Sequence, residues 1–244
     1  MARQKLGQHF LRNGAILERI AAAVCPQSED LVVEIGPGRG ALTSKLLANA
    51  RRVVAIELDP ELAQYLRQKF AGETRLEIVE GDALATDLAQ WGSVPIAGNL
   101  PYYVATPILE KAVRLRPPRA VFLLQKEVAE RLVAQPGQRA YGYLTVATAL
   151  FASVRLLFDV RPGSFDPPPA VDSAVVLLEP RPAVPQADGV LELISHAFRH
   201  KRKTLRNNLA PAYGKVVESW PEAGLRAEQI PLEGFLEMYG RVGR

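Results

Sequence analysis

The chain has 244 residues and a mass of 26.7 kDa, enough for one large domain or for a domain with a small appendage. Its 48% hydrophobic and 23% charged residues exclude disorder as the dominant state, and its apolar runs are too short to span a membrane. The net charge of +4 is unevenly spread: Arg181–Arg244 hold ten Lys or Arg against seven Asp or Glu, and Leu193–Val217 contain no acid.

The N-terminal arm, residues 1–12, is also basic and acid-free, with Arg3, Lys5 and Arg12. No secretory leader or lipidation signal is visible, so a cytoplasmic protein is expected. Cys25 stands alone, which excludes a disulfide framework and a CxxC pair; it reads as a small buried hydrophobe. Leu31–Ile35, Arg52–Glu57, Leu76–Val79, Val94–Ala97 and Ala120–Leu124 are short and rich in Val, Ile and Leu, as buried parallel strands are. Between them, Asp59-Pro60 reads as an N-cap and first helical residue, with Leu62, Leu66 and Phe70 spaced along one face. Thr106-Pro107 repeats that device. The alternation predicts an open, doubly wound sheet. Val154–Val160 and Ala174–Glu179 are two further strands with a loop between them, expected to pair antiparallel at one end of the sheet. Pro180, Pro182 and Pro185 form a stiff linker, and from residue 186 the periodicity is helical. The expected domains are 1–182 and 186–244. In the second, Leu191, Ile194, Phe198, Leu205 and Leu209 form an apolar stripe on one helix, with Arg199, Lys203 and Arg206 on a neighbouring face suited to tracking phosphates.

The first strand runs into Gly36-Pro-Gly38-Arg-Gly40, a tight turn that lets a ligand approach bare backbone. Glu57, at the end of the next strand, is placed to accept from ribose hydroxyls. A strand-to-helix turn without a ligand uses the same glycines, and so do nicotinamide and flavin sites. Three features favour S-adenosylmethionine (SAM). The glycines are spaced GxGxG, with Ala41 where a dinucleotide fingerprint has its third Gly. Asp82 follows the third strand, where it can accept from an adenine amino group. Asn99-Leu100-Pro101-Tyr102 follows the fourth, at the carboxyl edge where open sheets hold ligands. No metal-ligand spacing accompanies His196 or His200.

The exocyclic amine of adenine is a poor nucleophile, because its lone pair is conjugated into the ring. Acceptors that take its two hydrogens draw the nitrogen toward a tetrahedral form and free the lone pair. The Asn99 side-chain oxygen and the Leu100 carbonyl can be that pair, with Pro101 stiffening the backbone and Tyr102 offering a face for an extruded base. No strong general base is needed, since the methylated nitrogen is acidic.

Asn99-Leu-Pro-Tyr102 resembles the signature of amino-group methyltransferases. The chain as a whole resembles the KsgA family of small-subunit ribosomal RNA adenine dimethyltransferases. Lys5-Leu-Gly-Gln-His-Phe-Leu11 is similar to that family's opening motif, Glu34–Gly38 with Gly40–Thr43 to its SAM loop, Phe165–Ser173 to its F-x-P-x-P-x-V-x-S segment, and Lys201–Leu209 to its basic C-terminal motif. The resemblance implies a class I SAM-dependent methyltransferase domain, Rossmann-like, with a mostly parallel sheet, an antiparallel final strand and a small C-terminal helical RNA-docking domain. It implies dimethylation at N6 of two adjacent adenosines near the 3′ end of small-subunit rRNA, within an assembling subunit, with SAM as cofactor and no metal. SAM contacts are implied at His9, Leu11, Gly36, Gly38, Glu57, Asp82 and Asn99. The target base is implied at Asn99, Leu100, Pro101 and Tyr102, with Phe165 as a second aromatic neighbour, and RNA at Arg199, Lys203 and Arg206. Two positions depart from the pattern: the family commonly has Asn at His9, and Asn after the signature Tyr, where this chain has Tyr103. The rival readings are a large-subunit methyltransferase of the macrolide-resistance type and a ribosome-assembly factor acting by binding. Nothing in the sequence demands a dimer, and a monomer is expected.

Overall fold

The computed structural model describes residues 9–242. In chain order its elements are β1 (Phe10–Leu11), α1 (Gly14–Val24), β2 (Val32–Ile35), α2 (Ala41–Leu46), β3 (Val53–Glu57), α3 (Pro60–Lys69), β4 (Leu76–Glu80), β5 (Ile96–Asn99), α4 (Ala105–Arg114), β6 (Ala120–Gln125) and α5 (Lys126–Val133). There follow α6 (Tyr143–Ala149), β7 (Ala152–Val160), β8 (Phe165–Asp166), β9 (Ser173–Pro180), α7 (Ala187–Phe198), α8 (Leu205–Tyr213) and α9 (Leu232–Tyr239).

The main sheet has the order β4-β3-β2-β5-β6-β9-β7. The first five strands are parallel, and β9 runs antiparallel to β6, with Ala120 opposite Leu178 and Gln125 opposite Ser173. β2 and β3 are buried at every residue, which is why they read as continuous apolar runs and not as alternating ones. The strand order reverses beside β2, since β3 lies on one side and β5 on the other. Such a switch point opens a crevice at the carboxyl ends of the strands. A Cβ on Gly98 would stand 2.7 Å from the Ile35 carbonyl, so glycine is what allows β5 to lie against β2 there. A second, two-stranded sheet pairs β1 with β8, Phe10 opposite Asp166 and Leu11 opposite Phe165.

The Asp59 cap forms as expected, its side chain accepting from Glu61 N at 2.9 Å, and Pro60 is the first helical residue. Thr106 is not a cap: α4 starts two residues earlier, behind Val104, and Pro107 falls within its first turn. The first N–H groups of a helix have no intrahelical acceptor, so proline is tolerated at more than one position there. The stripe from Leu191 to Leu209 is likewise not one helix. α7 ends at Phe198 and α8 begins at Leu205, and the buried Asn208 amide donates back to Ala197 O (2.7 Å) and His200 O (3.1 Å), closing the end of α7. Arg199, Lys203 and Arg206 are therefore exposed on the end of α7, the turn and the start of α8, and not on a single helix face.

The chain divides into two compact units, Met1–Ala129 with Arg155–Pro180, and Glu130–Val154 with Arg181–Arg244. The second crossing between the units falls at Pro180–Arg181, beside the prolines of the linker. Residues 130–154, assigned from sequence to the α/β domain, group instead with the helical unit. There Tyr141 OH donates to Ile230 O at 2.7 Å, and the Tyr141 ring lies 6.4 Å from that of Phe198. Cys25 is buried, and burial pushes its thiol up to about 11.

Candidate active site

At the switch point of the α/β unit lies a cavity of ≈ 350 Å³, within the usual range of small-ligand pockets, about 300–1,000 Å³. Its floor is the glycine turn after β2. Gly36 and Gly38 have φ of 69° and 56°, and a Cβ on Gly38 would meet the Phe10 ring at 3.0 Å. The turn is tied to β3 through Glu57: Gly38 N donates to Glu57 Oε2 at 2.9 Å and Asp59 N to Oε1 at 3.0 Å. Burial raises the Glu57 carboxyl above its ordinary value, and these N–H groups draw it back down.

The far wall is the turn after β5. Asn99 Nδ2 donates to the His9 carbonyl at 3.1 Å, which fixes the amide and leaves Oδ1 as its acceptor. Tyr102 OH is 3.0 Å from Ser173 Oγ, on the fully buried first residue of β9. The His9 and Tyr102 rings are 5.9 Å apart at 32°. His9 Nδ1 lies 2.9 Å from the Pro167 carbonyl, and a carbonyl can only accept, so Nδ1 carries the proton. β1 thus straps the cavity, with His9, Phe10 and Leu11 among its lining residues.

His9, Leu11, Gly36, Gly38, Glu57, Asn99, Leu100, Pro101 and Tyr102 all line one cavity. Asp82 does not; it stands exposed in the turn after β4, its Oδ1 accepting from Leu84 N at 2.8 Å. Phe165 offers no face to a base here: it is 2% exposed, packed in the core with Leu11 and Val160, because β8 pairs with β1 and turns the ring inward. Arg3 and Lys5, with the rest of the opening motif before His9, lie outside the described residues. Glu34 was missed as an individual site residue. It is among the residues that line the cavity, and its buried carboxyl accepts from Thr43 Oγ1 at 2.6 Å and is pushed by burial up to about 7. An acid inside an otherwise apolar strand was the available signal. Arg39 was missed too: its guanidinium lies 4.4 Å from the Phe10 ring centre and 3.7 Å from Asp166.

Residues 1–239 match the family described as ribosomal RNA adenine dimethylase. The chain belongs to this family. Among relatives of this chain is the ribosomal RNA small subunit methyltransferase A of Synechococcus elongatus, 44% identical, the match covering 97% of this chain and 90% of the relative. The solved dimethyladenosine transferase from Plasmodium falciparum is 30% identical with a TM-score of 0.80, over 94% of this chain and 96% of that one. The 23S rRNA methyltransferase ErmE is 26% identical with a TM-score of 0.71, over 96% and 100%. The fold of the chain is the class I methyltransferase arrangement, a mostly parallel Rossmann-like sheet followed by a helical unit.

Proposed function

We propose that the chain dimethylates N6 of two adjacent adenosines in a hairpin near the 3′ end of small-subunit rRNA, with SAM as the methyl donor. The observation that carries this reading is the Asn99 amide. With Nδ2 committed to the His9 carbonyl, Oδ1 is the atom left to take a hydrogen of the adenine amine. The Leu100 carbonyl takes the second hydrogen, Pro101 stiffens the backbone between the two acceptors, and the Tyr102 ring stacks on the extruded base.

The cavity fits SAM. It contains two buried carboxyls, Glu34 and Glu57, which suit a cationic ligand with a diol better than a pyrophosphate, and a glycine cradle that a Cβ would fill. Glu57 would hold the ribose hydroxyls, the Gly36–Gly38 backbone would face the amino-acid end, and Asp82 would take the adenine amino group. When bound, SAM supplies an electrophilic methyl, so the chain's own residues need only hold the amine, shape its hydrogen bonds and exclude water.

The small-subunit branch is favoured over the resistance type. Relatives named ribosomal RNA small subunit methyltransferase A are 37–44% identical across nearly the whole chain, against 26% for ErmE. The substrate is then rRNA within an assembling small subunit, met in the cytoplasm by a monomer, with Arg199, Lys203 and Arg206 on the RNA. Among the described residues no helix is long and apolar enough to cross a membrane.

Asn99→Ala tests the mechanism. Methyl transfer should fall by about 10²–10³, the usual loss when one polarising group is removed, while subunit binding stays nearly unchanged. Transfer at the native rate would contradict the assigned role.

A further inference from the structure

Lys111 sits half-buried on α4, and its ammonium is spent on backbone carbonyls: Nζ donates to Leu84 O at 2.7 Å and to Thr86 O at 2.5 Å. Both carbonyls belong to the turn that Asp82 opens. The Asp82 carbonyl accepts from Ala85 N at 3.0 Å, Thr86 N at 2.8 Å and Thr86 Oγ1 at 2.8 Å, and its Oδ1 accepts from Leu84 N at 2.8 Å. A partly desolvated ammonium is costly, and charge-assisted bonds of this length recover that cost by holding their acceptors in one place. The turn begins the long connection from β4 to β5, a segment with little regular structure of its own.

α4 begins at Ala105, three residues after Tyr102, so the helix that carries Lys111 continues directly from the Asn99–Tyr102 turn. The two turns also share an electrostatic environment. The Tyr103 phenol is held above its ordinary value by burial and then by the charges of Asp82 and Glu57.

We propose that Lys111 is a positioning residue: it fixes the turn after β4 to α4 so that Asp82 Oδ2 is set to accept the adenine amino group of the methyl donor. This rests on the reading of Asp82 given above. The same tie links the donor's adenine subsite to the helix that leaves the target-base turn, so the two ends of the reaction are held by one element. A neutral side chain of the same length would fill the space but leave the Leu84 and Thr86 carbonyls without this donor.

The test compares affinities of the full chain for S-adenosylhomocysteine and for S-inosylhomocysteine, which has a 6-oxo group in place of the adenine amino group, by calorimetry. The native chain should prefer the amino form by about 10- to 100-fold, the worth of a hydrogen bond to a charged acceptor. Asp82→Ala should abolish that preference. Lys111→Met keeps the stem and removes the donors, and should reduce the preference to within about threefold, with the affinity for S-inosylhomocysteine little changed. Lys111→Arg, whose fork can reach two carbonyls, should restore it. If Lys111→Met weakens both ligands equally, or lowers the melting temperature with the preference intact, Lys111 is only structural and the proposal is overturned. If Asp82→Ala keeps the native preference, or the native chain shows none, the reading of Asp82 fails and the proposal falls with it.

Discussion

Glu34 shows how one residue in an apolar strand can couple the site to stability. Its ordinary value is 4.5; in the fold burial pushes it up to about 7, with the Thr43 hydrogen bond lowering it and the Glu57 charge raising it. The folded chain therefore binds that proton more tightly than the unfolded chain. The associated stability is fully present below pH 4.5 and is lost as pH rises to about 7, a change of about 3 kcal/mol. Glu34→Gln keeps an acceptor for Thr43 and removes the titration. Without ligand, it should melt several degrees above the native chain at alkaline pH and match it at acid pH, by calorimetry. An equal melting temperature at alkaline pH would show that the native carboxylate pays no such penalty. At this scale the sequence made legible which residues meet: Asn99, Glu57, Gly36 and Gly38 line one cavity. It was not legible where a side chain's direction depends on a distant pairing. Phe165 sits in a motif that suggests a base contact, but the pairing of β8 with β1 sends its ring into the core.

Among the elements, the buried strands announced themselves through runs of Val, Ile and Leu, and α3 through Asp59-Pro60. The start of α4 was harder, because proline marks a first turn and not a cap. The break between α7 and α8 was invisible to periodicity: the apolar stripe continues across it, and the interruption depends on Asn208, which reaches back to Ala197 and His200. Asn208→Ala would leave the buried Ala197 carbonyl and the partly buried His200 carbonyl at the end of α7 without that donor. It should destabilise the helical unit by about 1–3 kcal/mol, read by denaturant unfolding with a helix-unit probe such as Trp220 fluorescence. An unchanged midpoint would mean that water replaces the amide at no cost. The N-terminus of α8 is no phosphate cradle, since Leu205 N and Arg206 N already donate to Leu225 O at 2.7 Å and Ala223 O at 3.0 Å. Any RNA contact there falls to the cations around the break. Replacing Arg199, Lys203 and Arg206 with Gln should reduce the slope of log affinity against log salt by about 2 to 3, with donor affinity unchanged. An unchanged slope would remove these residues from the RNA footprint.

For the whole molecule, the alternation of strands and helices was enough to expect a doubly wound sheet with a final antiparallel strand and a helical appendage. The assignment of residues 130–154 to the helical unit was not foreseeable, because it is made by long-range contacts such as Tyr141 with Ile230 and Phe198. The division matters for function: the α/β unit carries the cavity with its amide, carboxyls and glycines, and the helical unit carries the whole net positive charge of +4. That is the arrangement expected of an enzyme that must recognise a large polyanion and then act on a single base.

The most direct measurement is methyl incorporation from labelled SAM into unmethylated small ribosomal subunits, with unmethylated large-subunit RNA as the paired control and nucleoside analysis of the products. Two adjacent N6,N6-dimethyladenosines in the small-subunit RNA, with no label in the large, is the predicted result. Label confined to the large-subunit RNA, or no label in either while the donor still binds, would contradict it.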